Sequence, residues 1–123
     1  MKIPDMQQTV MPYLIINNAV DFIRFAEKVF GAKEIMRHTR EDGQAIMHAQ
    51  VMIGGCTIMF ADASEQFPAT ATGLFIYVEN ADETYEKALA EGAFSIMPPG
   101  DQSYGRSCGV KDIFGTSWWV TSL

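Results

Sequence analysis

The side chains able to do chemistry are few: two histidines, two cysteines, and an aromatic set that includes two tryptophans and four tyrosines. His48 lies in an alternating run, Ala45 to Ile53. Its imidazole would be the natural general base of an enzyme, because it changes charge near neutral pH. A hydrogen-bonded structural histidine is the simpler role there. His38 sits beside Arg37 and Arg40 near a hairpin signal, where surface exposure is expected. Cys56 and Cys108 lack metal-ligand spacing, so free, buried thiols are expected. Cys108 falls 60 residues after His48, at the matching place in the second half of the chain, so the repeat offers a Cys/His pair. No activating base or oxyanion signature accompanies it. A site for Zn, Ni or Fe needs at least three hard oxygen or imidazole donors, and no carboxylate stands at a ligand-like interval from either histidine. No catalytic residue, metal or cofactor is assigned.

The elements that would position these groups repeat. Gly31-Ala32 is followed by Ile35-Met36 as Gly92-Ala93 is by Ile96-Met97, and Ile53-x-Gly55-x-x-Met59-Phe60 is echoed by Ile113-x-Gly115-x-x-Trp119-Val120. Asn18-Ala19 and Asn80-Ala81, 62 residues apart, each open a helical stretch. Each half reads as a strand, a helix and three strands. In the first helix Asn18 is the expected N-cap with acidic Asp21 behind it, Ala19, Phe22, Ile23, Ala26 and Phe30 form the apolar stripe, and Gly31 is the stop. In the second, Asn80 and Glu83 open the helix, Ala81, Thr84, Tyr85, Ala88 and Leu89 form the stripe, and Gly92 closes it. Glu41-Asp42-Gly43 and Gly54-Gly55 are turns, and Pro98 to Gly105 is expected to be an irregular loop. The expected organisation is one domain, 1–123, made of modules 8–62 and 72–123 joined by a linker, 63–71. Two copies are too few for a solenoid, so the half-sheets should pair about a pseudo-two-fold axis and leave a concavity.

Composition narrows the function. The chain of 123 residues is 48% hydrophobic and 20% charged, enough apolar material for a core. No apolar run approaches the length of a membrane span, and Met1-Lys2-Ile3-Pro4-Asp5 does not resemble a signal peptide, so a cytoplasmic location is expected. A net charge of -6 argues against nucleic acid and anionic membranes as partners and mildly favours cationic ligands.

Alternation along the strands sorts residues into two faces. Ala45, Met47, Ala49, Val51 and Ile53 are expected under the helix, with Gln44, Ile46, His48, Gln50 and Met52 on the open side. Pro12, Leu14, Ile16, Leu74, Ile76, Val78, Ile58, Phe60, Trp118 and Val120 go to the core. Met11, Tyr13 and Ile15 match Gly73, Phe75 and Tyr77 on the open side, and Thr57, Met59 and Ala61 match Ser117, Trp119 and Thr121. That open side is rich in flat and polarisable groups suited to an apolar or aromatic ligand.

Two βαβββ units, the segment Ala45-Ile46-Met47-His48-Ala49-Gln50-Val51-Met52-Ile53-Gly54, the strand Ile58-Met59-Phe60-Ala61-Asp62, and the tail Tyr104-Gly105-Arg106 with Val110-Lys111-Asp112-Ile113-Phe114-Gly115-x-x-Trp118 resemble the vicinal oxygen chelate superfamily. Within it the chain is most similar to the PhnB-like glyoxalase/bleomycin-resistance branch. The tail departs from the common pattern in having Ile113 before the phenylalanine and Thr116 after the glycine. The resemblance implies an α+β fold, two tandem βαβββ modules forming a cup-shaped mixed sheet with helices on the outer side, and a homodimer. It also implies metal ligands at positions held here by Met11, Met59, Gly73 and Trp119, none of which supplies a hard donor. The expected function is metal-free binding of a small apolar or aromatic, even cationic, molecule in the cup. Its candidate contacts are Met11, Tyr13, His48, Gln50, Met59, Phe75, Tyr77, Tyr104, Arg106 and Trp119. The alternative is a metal-dependent lyase, isomerase or dioxygenase with a non-standard site.

Overall fold

The structure, a computed structural model, describes residues 1–123. In chain order the elements are β1 (Tyr13–Ile16), α1 (Ala19–Phe30), β2 (Lys33–Thr39), β3 (Ile46–Ile53), β4 (Cys56–Asp62), β5 (Thr72–Tyr77), α2 (Ala81–Ala90), β6 (Phe94–Gln102), β7 (Gly105–Lys111) and β8 (Thr116–Ser122). This is the expected βαβββ pattern twice. It makes two four-stranded mixed sheets, ordered β1-β4-β3-β2 and β5-β8-β7-β6. In each, the first strand runs parallel to the last and the other pairs are antiparallel. The chain divides into two compact units, Met1–Glu27 with Gly31–Thr70, and Lys28–Phe30 with Ala71–Leu123.

Within the first unit α1 buries Ala19, Phe22, Ile23 and Ala26, and Phe22 meets Phe60 of β4 edge to face with ring centroids 5.0 Å apart. Gly31 ends the helix at φ 67°, its N–H returning to the carbonyls of Ala26 and Glu27. The expected Asn18 cap does not form. Asn18 is itself left-handed (φ 60°), and the free N–H of Ala19 instead donates to Asp62 Oδ1 at 2.9 Å. In the second unit Asn80 caps α2 as expected, accepting from Glu83 N–H at 3.0 Å, while Ser122 Oγ accepts from Ala81 N–H at 3.1 Å. The last residue of β4 and that of β8, Asp62 and Ser122, therefore serve the same end of their own module's helix.

Two stretches differ from the sequence expectation. On β3 the simple alternation fails, because the β2–β3 register shifts between His38/Thr39 and pushes one residue of β3 out of the ladder. Ile46 is fully buried and Met47 is 55% exposed, the reverse of their assigned faces, while Ala49, Val51 and Ile53 are buried as expected. The stretch Pro98-Pro99-Gly100 is not a loop: β6 runs through it with register shifts between Ser95/Met97 and Met97/Gly100. As an edge strand, β6 has one side free of ladder bonds, so prolines without an N–H are tolerated there. The turns at Glu41-Asp42-Gly43 and Gly54-Gly55 form as expected. In the first, Asp42 Oδ1 accepts the N–H groups of Gln44 and Ala45, which holds its carboxyl below the usual range.

The tail motif has a plain structural reading. Asp112, buried after β7, accepts from Phe114 N–H and Thr116 N–H with Oδ1 and from Trp118 Nε1–H with Oδ2, each at 2.9 Å. Burial nevertheless pushes its carboxyl above the ordinary value, against the three donors and Gly115 N–H. The Trp118 ring so fixed packs against Phe30 at 4.4 Å and is 1% exposed.

Candidate functional site

Strand register sets the candidate residues in rows. In the first sheet Tyr13, Met59, Gln50 and Met36 are successive cross-strand partners. In the second the corresponding row is Phe75, Trp119, Gly109 and Met97. Side chains of one row share a face, so each row brings together residues from four separate strands.

The first row carries a polar chain. Tyr13 Oη lies 3.1 Å from His48 Nδ1, and His48 Nε2 lies 3.0 Å from Gln50 Nε2. With the Gln50 amide donating to Nε2, the neutral imidazole donates from Nδ1 to Tyr13, whose own hydrogen is left to point outward. Gln50 is 5% exposed, His48 half-buried and Tyr13 50% exposed, so the chain runs from the sheet to solvent. Burial pushes the His48 imidazolium down, and His38, its Cα partner on β2, adds to the effect. His38 is exposed, as expected, and is the cross-strand neighbour of His48.

The second row is aromatic. Phe75 and Tyr77 meet edge to face at 5.1 Å and are 51% and 64% exposed, and Trp119 beside them is 38% exposed. The Trp119 ring lies over Gly109: a Cβ built there would come within 2.6 Å of Cζ3 and 2.8 Å of Cε3.

Other expected members fall elsewhere. Arg106 shares a strand face with buried Cys108 and Val110, and its guanidinium is committed to Asp82 on α2 (2.9 and 3.0 Å) and to Asp101 (3.3 Å). Those carboxylates raise its pKa, and it in turn lowers that of Asp82. Alternation gives no warning of this, since Arg106 has the parity of Cys108, which the 60-residue repeat matches to open-side His48. Tyr104 is exposed in the β6–β7 turn, and Met11, half-buried, precedes β1. Thr57, Ala61 and Thr121, expected on the open side, are buried. The hydroxyl of Thr57 donates to Met6 O and its backbone exchanges bonds with the Gln8 amide, so the N-terminal segment closes over that end of β4. Thr121 is held by Ser107 Oγ at 3.0 Å.

Neither thiol is placed for nucleophilic work with His48. Cys108 is fully buried, its Sγ 3.8 Å from Ala81 O, and burial lifts its pKa to about 11. The residue of β7 in the row of Gln50 is Gly109, so Cys108 answers to helix-facing Ala49 and not to His48. Cys56 is exposed, contrary to expectation, because it directly follows the Gly54-Gly55 turn.

No group of three or more His, Cys, Asp or Glu side chains converges as a metal site would require. The positions where the resemblance implies metal ligands hold Met11, Met59, Gly73 and Trp119, none of which is a hard oxygen or imidazole donor. A cavity of about 420 Å³ opens instead beside the start of α1, bordered by Asn18, Asp21, Arg40, Gln44 and Asp62. Its one arginine is spent on the carbonyls of Asp62 and Ala63, and the helix N-terminus on the Asp62 carboxylate.

The fold and rows define a class: small α+β proteins of two βαβββ modules whose strand faces carry the candidate contacts. The sequence profile of the Glyoxalase/Bleomycin resistance protein/Dioxygenase superfamily matches residues 7–120, and the chain belongs to that superfamily. The protein Mb0911c of Mycobacterium bovis is 30% identical over 126 aligned positions, spanning 93% of this chain and 82% of its own. Among solved structures, PA1353 of Pseudomonas aeruginosa superposes with a TM-score of 0.76 at 23% identity, covering 94% of this chain and 98% of its own. A PhnB protein of Bacillus cereus gives 0.74 at 18%, covering 94% and 100%. No helix is long and apolar enough to cross a membrane.

Proposed function

We propose that this protein binds a small, flat, largely apolar molecule on the open strand faces of its modules, without a metal. The observation that carries the reading is the exposure of Phe75, Tyr77 and Trp119 together on one face. Leaving apolar surface in water forgoes about 25 cal/mol per Å², so three adjacent aromatic groups in that state are a cost that a ligand would remove. Aromatic walls suit a planar ring, and the net charge of -6 favours a cationic one. Tyr13, Met59, His48 and Gln50 supply a second surface with one hydrogen-bond donor, the Tyr13 hydroxyl. Met11 and Tyr104 remain candidates for its margins, whereas Arg106 is left out because Asp82 and Asp101 occupy it. Under this reading the protein is a cytoplasmic homodimer, which sedimentation velocity would test.

Titration with proflavine, a planar aromatic cation, should quench tryptophan emission. Trp119→Ala should weaken binding at least tenfold. Unchanged affinity in that variant overturns the reading.

The Tyr13–His48 contact favours a second reading, acid–base catalysis in which Tyr13, its oxygen held by the His48 Nδ1–H, gives its outward-pointing hydroxyl proton to a substrate. A glyoxalase or dioxygenase assay on protein of measured metal content would then show turnover that Tyr13→Phe removes.

A further inference from the structure

Gly109 stands in the middle of β7, with the neighbouring strands β8 and β6 bonded on either side. Its φ lies outside the left-handed region, so the backbone there would accept any L-residue without strain. What it could not accept is a side chain, because the first atom of one would overlap the benzenoid edge of Trp119 at 2.6 and 2.8 Å. Ile96 Cβ, 3.5 Å away, closes the other side. The first module makes the matching comparison. There the row reads Tyr13, Met59, Gln50, Met36, and the counterpart of Gly109 is a residue with a full side chain beneath a flexible methionine. A glycine occurs only where the row carries a tryptophan.

We propose that Gly109 is the positioning and specificity-determining residue of the second module: by lacking a Cβ it lets the Trp119 indole settle over β7, and this sets the height at which a planar aromatic ring can stack on it. The proposal rests on the binding reading above. The neighbouring strands hold the backbone, so an added methyl group must displace the ring.

The test is Gly109→Ala in protein labelled with 5-fluorotryptophan, which gives one fluorine resonance for each of the two tryptophans. The Trp119 resonance should move while that of buried Trp118 stays, and proflavine affinity should fall at least fivefold. An unmoved Trp119 resonance overturns the proposal whatever the dye does. A moved resonance with unchanged affinity also overturns it, since ring height would then not govern binding. If Trp119→Ala also binds proflavine as the unaltered chain does, or if the unaltered chain does not bind it, the binding reading fails and takes the proposal with it. Should Gly109→Ala fold poorly, the double variant with Trp119→Ala should regain the lost thermal midpoint, because the overlapping partner is gone. No recovery would mean that the ring is not what Gly109 accommodates.

Discussion

At the residue scale the buried carboxylate of Asp112 and the His48 ring make opposite demands on pH. Asp112, 2% exposed, accepts from three donors, and removing it would take that acceptor from three buried N–H groups. At about 1–3 kcal/mol for each, Asp112→Ala should cost on the order of 3 kcal/mol or more, read as a fall in the urea midpoint with unchanged slope. His48 is a neutral ring with both nitrogens engaged, and its folded pKa lies below the ordinary value of about 6.5. The unfolded chain therefore takes up that proton more readily. The contribution of His48 to stability is present above the ordinary value and is lost as pH falls through the lowered one. Proton NMR should show its imidazole titrating below 6.5, and thermal midpoints should fall across the same window less steeply in His48→Gln. The aromatic identities, and that His48 alone could reach an open face, were legible in the sequence. The partners were not, since Tyr13 and His48 are 35 positions apart and meet only through β1, β4 and β3.

At the element scale the repeated device is a strand end that ties down a helix start. Asp62 binds the N–H groups of both Ala19 and Ile46, joining β4 to α1 and β3, whereas Ser122 binds only Ala81. Asp62→Ala should therefore be the more destabilising, at about 2–3 kcal/mol against roughly 1 kcal/mol for Ser122→Ala, measured by urea denaturation of the two variants side by side. The helices themselves were readable from their stripes and from Gly31 and Gly92. Asn18 looks identical to Asn80 in sequence, yet only Asn80 caps, because Asn18 takes a left-handed backbone and Asp62 has already filled its place. Likewise Pro98-Pro99 reads as a breaker until the strand order shows β6 at an edge, where missing N–H groups are tolerated.

At the scale of the whole molecule, binding on N alone stabilises by mass action. Proflavine at one hundred times its Kd should add about 2.7 kcal/mol of stability, seen as a raised thermal midpoint, and EDTA should change neither the midpoint nor that increment. A midpoint lowered by EDTA would reveal a metal that the donor set does not suggest. By itself the sequence determined the duplicated βαβββ pattern, the helices, the two hairpin turns and the aromatic character of one face, because these follow from local spacing and backbone preference. Only the tertiary structure decided the face of Met47, the burial of Thr57 and Thr121, the commitment of Arg106 and the fit of Trp119 to Gly109. Each of those depends on partners supplied by another element, and for Met47 and Trp119 on strand register, where a shift of one residue turns a side chain to the opposite face.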